Sequence, residues 1–297
     1  MVKGKIYKGV GGLYTVKTEN GFEQCRARGI FRKDGTVLCV GDDVEIRSGV
    51  IEELLPRRNN LSRPPVSNID RLFIVSAFSD PSPDLYNIDK MITVASWHGI
   101  EPVLVFNKAD LVDAVGLERI YSALPYRIVK LEADKPELCA DGLEQIRKLI
   151  RGKVCALGGL SGVGKSTLLN ALDPSVCRQT GEISRKLQRG KHTTRAVELF
   201  DICGGTVADT PGFGSIDFEE FGIRDRSGLP DCFAEFRPYS DKCLFSDCTH
   251  RKEKGCAVLE AVRNGEIPAS RHSDYQRMYD EIGEYKAWEE KRKAEKK

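Results

Sequence analysis

The 297 residues, 40% hydrophobic and 30% charged, have the make-up of a globular protein with room for two or three domains. No apolar run approaches the roughly 20 residues that cross a bilayer. The opening "MVKGKIYKGVGG" lacks the apolar core of a signal peptide, so a cytoplasmic protein with no membrane partner is expected. A formal net charge of +2 is too small to imply nucleic-acid binding by itself, so the local distribution of charge matters more.

Residues 1–65 read as short strands between Gly-rich breaks: "KIYKGV", "LYTVKT", "FEQCRARG", "DVEIR" and "GVIEEL". Strands at this spacing predict a small β-barrel. This part carries 12 Lys/Arg against 8 Asp/Glu, with Tyr7, Tyr14, Phe22 and Phe31 interspersed. That combination makes an OB-type barrel on RNA a plausible reading, although the aromatics could equally be core. "LPRRNNLSRPPVSN" (55–68) is Pro-rich and polar and reads as a linker.

From residue 70 strand and helix patterns alternate. "RLFIVSAF" and "PVLVFNK" are buried strands around the helix "LYNIDKMITVASWHG", which Gly99 ends. A helix near 117–124, the strand "YRIVKL", a helix over 142–151 and the strand "VCALGG" follow. Such alternation predicts a parallel sheet with helices on both faces. "AVELFDICGGTVAD" (196–209) reads as a hairpin turning at Gly204-Gly205, and beyond about 213 the chain becomes helical and charged. The expected division is a barrel over 1–65, an α/β domain over 66–222 and a mostly helical C-terminal domain over 223–297.

"GGLSGVGKSTLLN" (158–170) holds the pattern G-x-x-x-x-G-K-S, with a strand before it and a helix after it. In that context the backbone N–H groups of Gly159, Leu160, Ser161, Gly162, Val163, Gly164, Lys165, Ser166 and Thr167 surround phosphates. Lys165 is expected to reach the β- and γ-phosphates and Ser166 to bind Mg²⁺. "VADTPG" (207–212) supplies D-x-x-G, with Asp209 acting on Mg²⁺ and the Gly212 N–H sensing the γ-phosphate. "NKAD", Asn107, Lys108, Ala109 and Asp110, closes a buried strand. The Asp110 carboxylate can accept from guanine N1–H and the 2-amino group, and adenine offers no such pair of donors. The expected nucleotides are therefore GTP and GDP.

The base reader precedes the phosphate reader, the reverse of the usual order. The chain is read as a circularly permuted P-loop GTPase, a rearrangement that neighbouring surface termini tolerate. The stretch 178–195 holds Arg178, Arg185, Lys186, Arg189, Lys191 and Arg195 against Glu182 alone. Either a polyanion contact or a solvated loop accounts for it.

Seven of the ten cysteines are scattered, several within apolar runs, which suits a reducing compartment. Cys243, Cys248, His250 and Cys256 form C-x4-C-x-H-x5-C. Three thiolates and one imidazole make a closed tetrahedral set suited to one structural Zn²⁺. His98 and His272 lack partners in sequence and are read as structural, and Cys232 lies outside the spacing.

The whole chain resembles the ribosome small subunit-dependent GTPase A family of bacteria, through "NKAD", "GLSGVGKS", "GEISRKLQRGKHTTR", "DTPGF" and "CLFSDCTHRKEKGC". The resemblance implies a late-acting assembly factor, whose GTP hydrolysis the 30S subunit stimulates and which binds 16S rRNA. It is expected to act as a monomer. One of Thr193 and Thr194 completes the Mg²⁺ shell. Two positions depart from pattern. Glu132-Ala133 stands where an S-A pair contacts guanine, leaving the Ala133 N–H to serve O6. Phe213 follows Gly212 where many GTPases carry a water-orienting Gln. The missing group is then His192, which the family pattern favours, or a component of the ribosome.

Overall fold

The computed structural model describes residues 1–78, 82–108, 115–133, 135, 139–174, 197–209 and 216–295; at positions 115, 116, 118, 209 and 284–295 it describes the backbone alone. All five strands read from the first 65 residues form: β1 (Val2–Val10), β2 (Leu13–Thr18), β3 (Gly21–Ala27), β4 (Asp43–Arg47) and β5 (Val50–Leu54). Pairing runs β1–β2–β3–β5–β4 and returns from β4 to β1, so the sheet closes on itself. β3 and β5 run parallel and the other pairs antiparallel. This is the order of an OB-type barrel. Ile6, Val16, Cys25, Val44, Ile46 and Ile51 fill it. A short helix, α1 (Gly29–Lys33), lies between β3 and β4, and no pattern in the sequence announced it.

The aromatics divide. Tyr7 is buried and its hydroxyl donates to Asp201 at 2.7 Å, whereas Phe22 is exposed and meets the Tyr7 ring edge-on.

The Pro-rich stretch 55–68 is not a linker. It forms a hairpin of β6 (Asn60–Ser62) and β7 (Pro65–Ser67), with Leu61, Val66, Ser67 and Asn68 buried. The reason is a carboxylate outside it. Asp42, wholly buried, accepts from the Cys39 N–H (2.7 Å), from the Arg57 guanidinium (2.7 and 2.8 Å) and from the Ser67 hydroxyl (2.6 Å). Asn68 adds a bond to the Gly41 carbonyl at 3.0 Å. Replacing Asp42 by Ala strands the Cys39 N–H and leaves Arg57 with the Val37 carbonyl and Ser67 with a long 3.4 Å bond to the Val40 carbonyl. It is expected to lower the unfolding free energy by about 2–3 kcal/mol. Chemical denaturation measures this, and an unchanged stability would mean that 55–68 hangs free.

The barrel is also joined to the central sheet. β1 pairs antiparallel with β12 (Glu198–Ile202), opposite Glu198, and the Lys8–Glu198 ion pair (2.7 Å) spans the junction. The central order is β10 (Arg127–Lys130), β9 (Glu101–Asn107), β8 (Arg71–Ala77), β11 (Val154–Gly158), β13 (Gly205–Asp209) and β12. All run parallel except β12. β8, β9 and β11 are near-continuous apolar runs because both faces are covered. Alternate residues feed opposite cores: Leu72, Ile74, Leu104 and Phe106 one, Phe73, Val75, Val103 and Val105 the other. The β12–β13 hairpin turns at Cys203-Gly204 (φ 52° and 75°), one residue earlier than expected. Gly205 instead opens β13, where a Cβ would collide with the Ile150 carbonyl.

The first core lies under α2 (Leu85–Trp97) and α3 (Val115–Tyr121), the second under α4 (Ala140–Ile150) and α5 (Lys165–Leu172). Asp84 caps α2, accepting from the Asn87 N–H at 3.1 Å. The C-terminal region is helical, with 3₁₀ turns between Arg226 and Phe236, then α6 (Arg237–Ser240), α7 (Ala257–Arg263) and α8 (Ala269–Glu295). It docks on α2 through charge as well as apolar surface. Arg271, fully buried, pairs with Asp89 (2.7 Å) and Glu235 (2.8 Å) over the Phe233 ring.

Candidate nucleotide site and metal centre

The carboxyl ends of β8, β9, β11 and β13 lie side by side, and the connections from β8 and β11 lead to opposite sides. Ligands of open α/β sheets bind at such a switch point. The glycine-rich loop leaves β11 there. Gly159, Gly162 and Gly164 have φ of 136°, 83° and 96°, values that a side chain rarely tolerates. At Gly159 an added Cβ would meet the Val75 carbonyl, and at Gly164 the Asn107 amide. The bare backbone is what lets the loop fold over the strand ends.

Lys165 opens α5 and folds back over that loop, donating to the carbonyl oxygens of Gly159 (2.8 Å) and Leu160 (2.7 Å). Ser166 and Thr167 follow in the exposed first turn, with no acidic side chain there to offset the positive helix end. Cation, helix N-terminus and glycine-rich backbone together make an anion cradle.

Asn107 ends β9, is buried, and joins three pieces of the site. Its amide donates to the Val163 carbonyl in the phosphate loop at 3.0 Å, and its oxygen accepts from the Ala133 N–H at 2.9 Å. Ala133 therefore spends its donor on Asn107, which corrects the expectation that it faces guanine O6. Lys108 follows with φ 59°. Asp209 ends β13, beside β11. Ala109, Asp110, His192, Thr193, Thr194, Gly212 and Phe213 lie outside the described residues.

A methyl at Gly164 would break the Asn107 contact and strain the loop. Gly164→Ala is expected to weaken guanine-nucleotide binding by roughly five- to a hundredfold, from the 1–3 kcal/mol typical of a side chain forced to positive φ. Titration with a fluorescent GTP analogue reads this. Unaltered affinity would mean that the loop takes another path when loaded.

Cys243, Cys248, His250 and Cys256 meet as expected, their ligand atoms all within 4.8 Å of one another. Nδ1 of His250 is 3.5 Å from the sulfurs of both Cys243 and Cys256, which are 3.9 Å apart. Bonds of about 2.3 Å to sulfur and 2.0–2.1 Å to nitrogen give tetrahedral edges of about 3.8 and 3.5 Å. The set fits Zn²⁺. Charge argues the same way. Burial pushes the Cys248 thiol up to about 12 and raises Cys256 too, so a cation is needed to hold them as thiolates. Burial also lowers the His250 pKa, favouring the neutral imidazole that ligates.

Outer contacts fix this loop. His272 hydrogen-bonds the His250 carbonyl (2.7 Å), and the Tyr275 hydroxyl donates to the Thr249 carbonyl at 2.5 Å. Glu253, which sequence reasoning missed, accepts from the N–H groups of Thr249, Arg251 and Lys252 and from the Thr249 hydroxyl. Burial pushes its pKa up, yet these donors prevail and hold it down to about 2. Its only signal was an acid among the basic residues of "THRKEKGC". His98 hydrogen-bonds the Phe221 carbonyl, and Cys232 stays outside the metal cluster.

The model of the RsgA GTPase family matches residues 54–219, and that of the RsgA N-terminal domain residues 3–52. The chain belongs to the RsgA GTPase family. A "Small ribosomal subunit biogenesis GTPase RsgA" of Caldanaerobacter subterraneus is 39% identical over 95% of this chain and 96% of its own length. That of Geobacillus kaustophilus is 40% identical over 96% and 99%. Among solved structures, YjeQ from Thermotoga maritima superposes with a TM-score of 0.79 at 36% identity, covering 95% of this chain and 98% of that one. YloQ, described as a circularly permuted GTPase, gives 0.76 at 32% identity and covers 96% of each chain.

Proposed function

We propose that this protein hydrolyses GTP to GDP and phosphate and acts as a late factor in biogenesis of the small ribosomal subunit, stimulated by the 30S particle. The observation that carries the reading is the Asn107 bridge. It brings the N-K-x-D strand end, although upstream in sequence, onto the phosphate loop at 3.0 Å. The names of the relatives supply the ribosomal subunit as the setting.

In this reading Asp110 selects guanine, and the loop N–H groups with Lys165 balance charge on the phosphates as the terminal one leaves. Ser166, in the first turn of α5, and Asp209, at the end of the neighbouring β13, would hold Mg²⁺ together with Thr193 or Thr194. When bound, the ion neutralises phosphate charge. Phe213 cannot orient water, so His192 or a group of the particle does so, and unassisted turnover is slow.

A cytoplasmic monomer with the work divided among 1–65, 66–222 and 223–297 completes the reading. No described helix is long and apolar enough to cross a membrane. A cleft of about 570 Å³ lies where Tyr7 and Lys17 of the barrel face the β12–β13 hairpin, and a second, of about 320 Å³ and within the barrel domain, is lined by Tyr14, Arg26, Phe31 and Arg32. The second offers rings for bases and cations for phosphates, which suits 16S rRNA.

The test is phosphate release from GTP with and without 30S subunits. Slow turnover that 30S accelerates supports the reading. Equal turnover with and without the particle refutes the ribosomal part, and no turnover in either refutes the enzyme.

A further inference from the structure

Lys90 and Asp89 are consecutive on α2, and both reach into the interface with α8. A lysine ammonium is seldom buried without partners, and Lys90 is only 8% exposed. Its Nζ donates to the Ile216 carbonyl oxygen at 2.7 Å and to Glu281 Oε1 at 2.6 Å. The rings of Phe218 and Tyr86 flank it, with centroids at 4.8 and 5.1 Å. The Tyr86 hydroxyl donates to the second oxygen of the same carboxylate at 2.6 Å.

The two acceptors of Lys90 belong to segments with different work. Ile216 follows β13 and Asp209 in the chain, and β13 lies beside β11, which leads into the phosphate loop. Glu281 lies on α8, whose first turns buttress the metal loop through His272 and Tyr275. One desolvated charge therefore holds both. Drawing either oxygen away leaves the ammonium short of an acceptor where water does not replace it.

Docking of α8 does not itself require Lys90. Arg271 pairs with Asp89 and Glu235, and Met278 receives the Thr93 hydroxyl, without reference to Ile216. Further along, Phe221 is held by His98 and Glu220 by Ser62 and Arg63. Lys90 acts at the end nearest Asp209.

We propose that Lys90 is a positioning residue for GTP hydrolysis. It fixes the Ile216 end of the segment leading from Asp209 and, through Glu281, makes the setting of α8 follow the state of that segment. The inference rests on the reading of this chain as a GTPase. Coupling of this kind is reciprocal, so whatever binds α8 in one setting favours one nucleotide state.

Hydrogen exchange on the full-length chain tests it, with GDP or a non-hydrolysable GTP analogue bound at saturation. In the wild type, exchange over 216–223 and over 277–283 should differ between the two nucleotides. In Lys90→Met the difference over 216–223 persists, whereas that over 277–283 shrinks at least roughly fivefold. KM for GTP stays within about twofold while kcat falls roughly tenfold, the mark of a group acting in the transition state rather than in binding. Lys90→Arg restores most of both.

Wild-type exchange and kcat in Lys90→Met would overturn the proposal. So would a general loss of protection along α8 that includes the first turns around Arg271, since that is a merely structural role. Should Lys90→Met fail to fold, Glu281→Gln, which keeps shape and removes the charge, is held to the same outcomes. A wild type that binds both nucleotides but shows no difference over either segment overturns the coupling alone. A wild type that binds no guanine nucleotide in a direct titration overturns the GTPase reading instead.

Discussion

Lys165→Ala is expected to reduce kcat/KM for GTP by roughly 10²–10³, the loss typical of one preorganised donor at a developing charge. Phosphoryl transfer asks a protein mainly for position and charge balance. Lys165 is the cation that the phosphate loop holds directly against itself, through the carbonyl oxygens of Gly159 and Leu160. Those oxygens border an open, half-exposed loop, so water can replace the ammonium, and global stability should change by no more than about 1 kcal/mol. α5 keeps its buried face of Leu168, Leu169 and Leu172. The measurement pairs steady-state phosphate release with thermal unfolding. Undiminished turnover in a folded variant would remove the phosphate loop from the reaction and with it the enzymatic reading.

What the sequence could and could not reveal follows from how locally each feature is specified. β8, β9 and β11 are apolar runs bounded by turn residues, and the glycine-rich loop must sit between a strand and a helix. Cys243, Cys248, His250 and Cys256 are spaced closely enough for their chemistry to be read at once. The hairpin at 55–68 is different. Its Pro-rich, polar composition signals an exposed connection, yet Asp42, earlier in the chain, supplies the acceptor that buries Ser67 and fixes Arg57. The Ala133–Asn107 bond, and the burial of Lys90 and Arg271, likewise depend on partners from 26 to 191 residues away. Composition places such charges at the surface, and only the fold provides the carboxylates that let them enter. The D-x-x-G pattern of Asp209 to Gly212 was legible as a motif; the bond from Lys90 to the Ile216 carbonyl was not.

Removing zinc is expected to have the other large effect, and a local one. Purified protein should carry about one zinc per chain, because three thiolates and one imidazole fill a tetrahedral sphere. The stretch 241–256 buries little apolar surface of its own: Leu244 is 68% exposed and Phe245 48%, while His250 and Cys256 are themselves ligands. Metal–ligand bonds, worth on the order of 10 kcal/mol in small zinc domains, must therefore supply most of its order. Cys256→Ser separates the metal from the helix it borders. Cys256 caps α7, its sulfur accepting from the Leu259 N–H at 3.4 Å, and a serine hydroxyl can take over that cap while binding zinc poorly. The variant, or chelation of the wild type, should sharply raise hydrogen exchange over 241–256. The side-chain hydrogen bonds that leave the metal loop from 249–251 run to α8, through His272, Tyr275, Gln276 and Asp280. α8 in turn stays on α2 through Arg271, Met278 and Glu281. Loosening should thus stop at that helix, and GTP affinity should hold within about twofold, well below the tenfold that 1.4 kcal/mol brings. Metal-free protein with 241–256 still protected would show that packing alone orders the loop. A parallel collapse of GTP binding would show that the metal region supports the nucleotide site through α8 and α2.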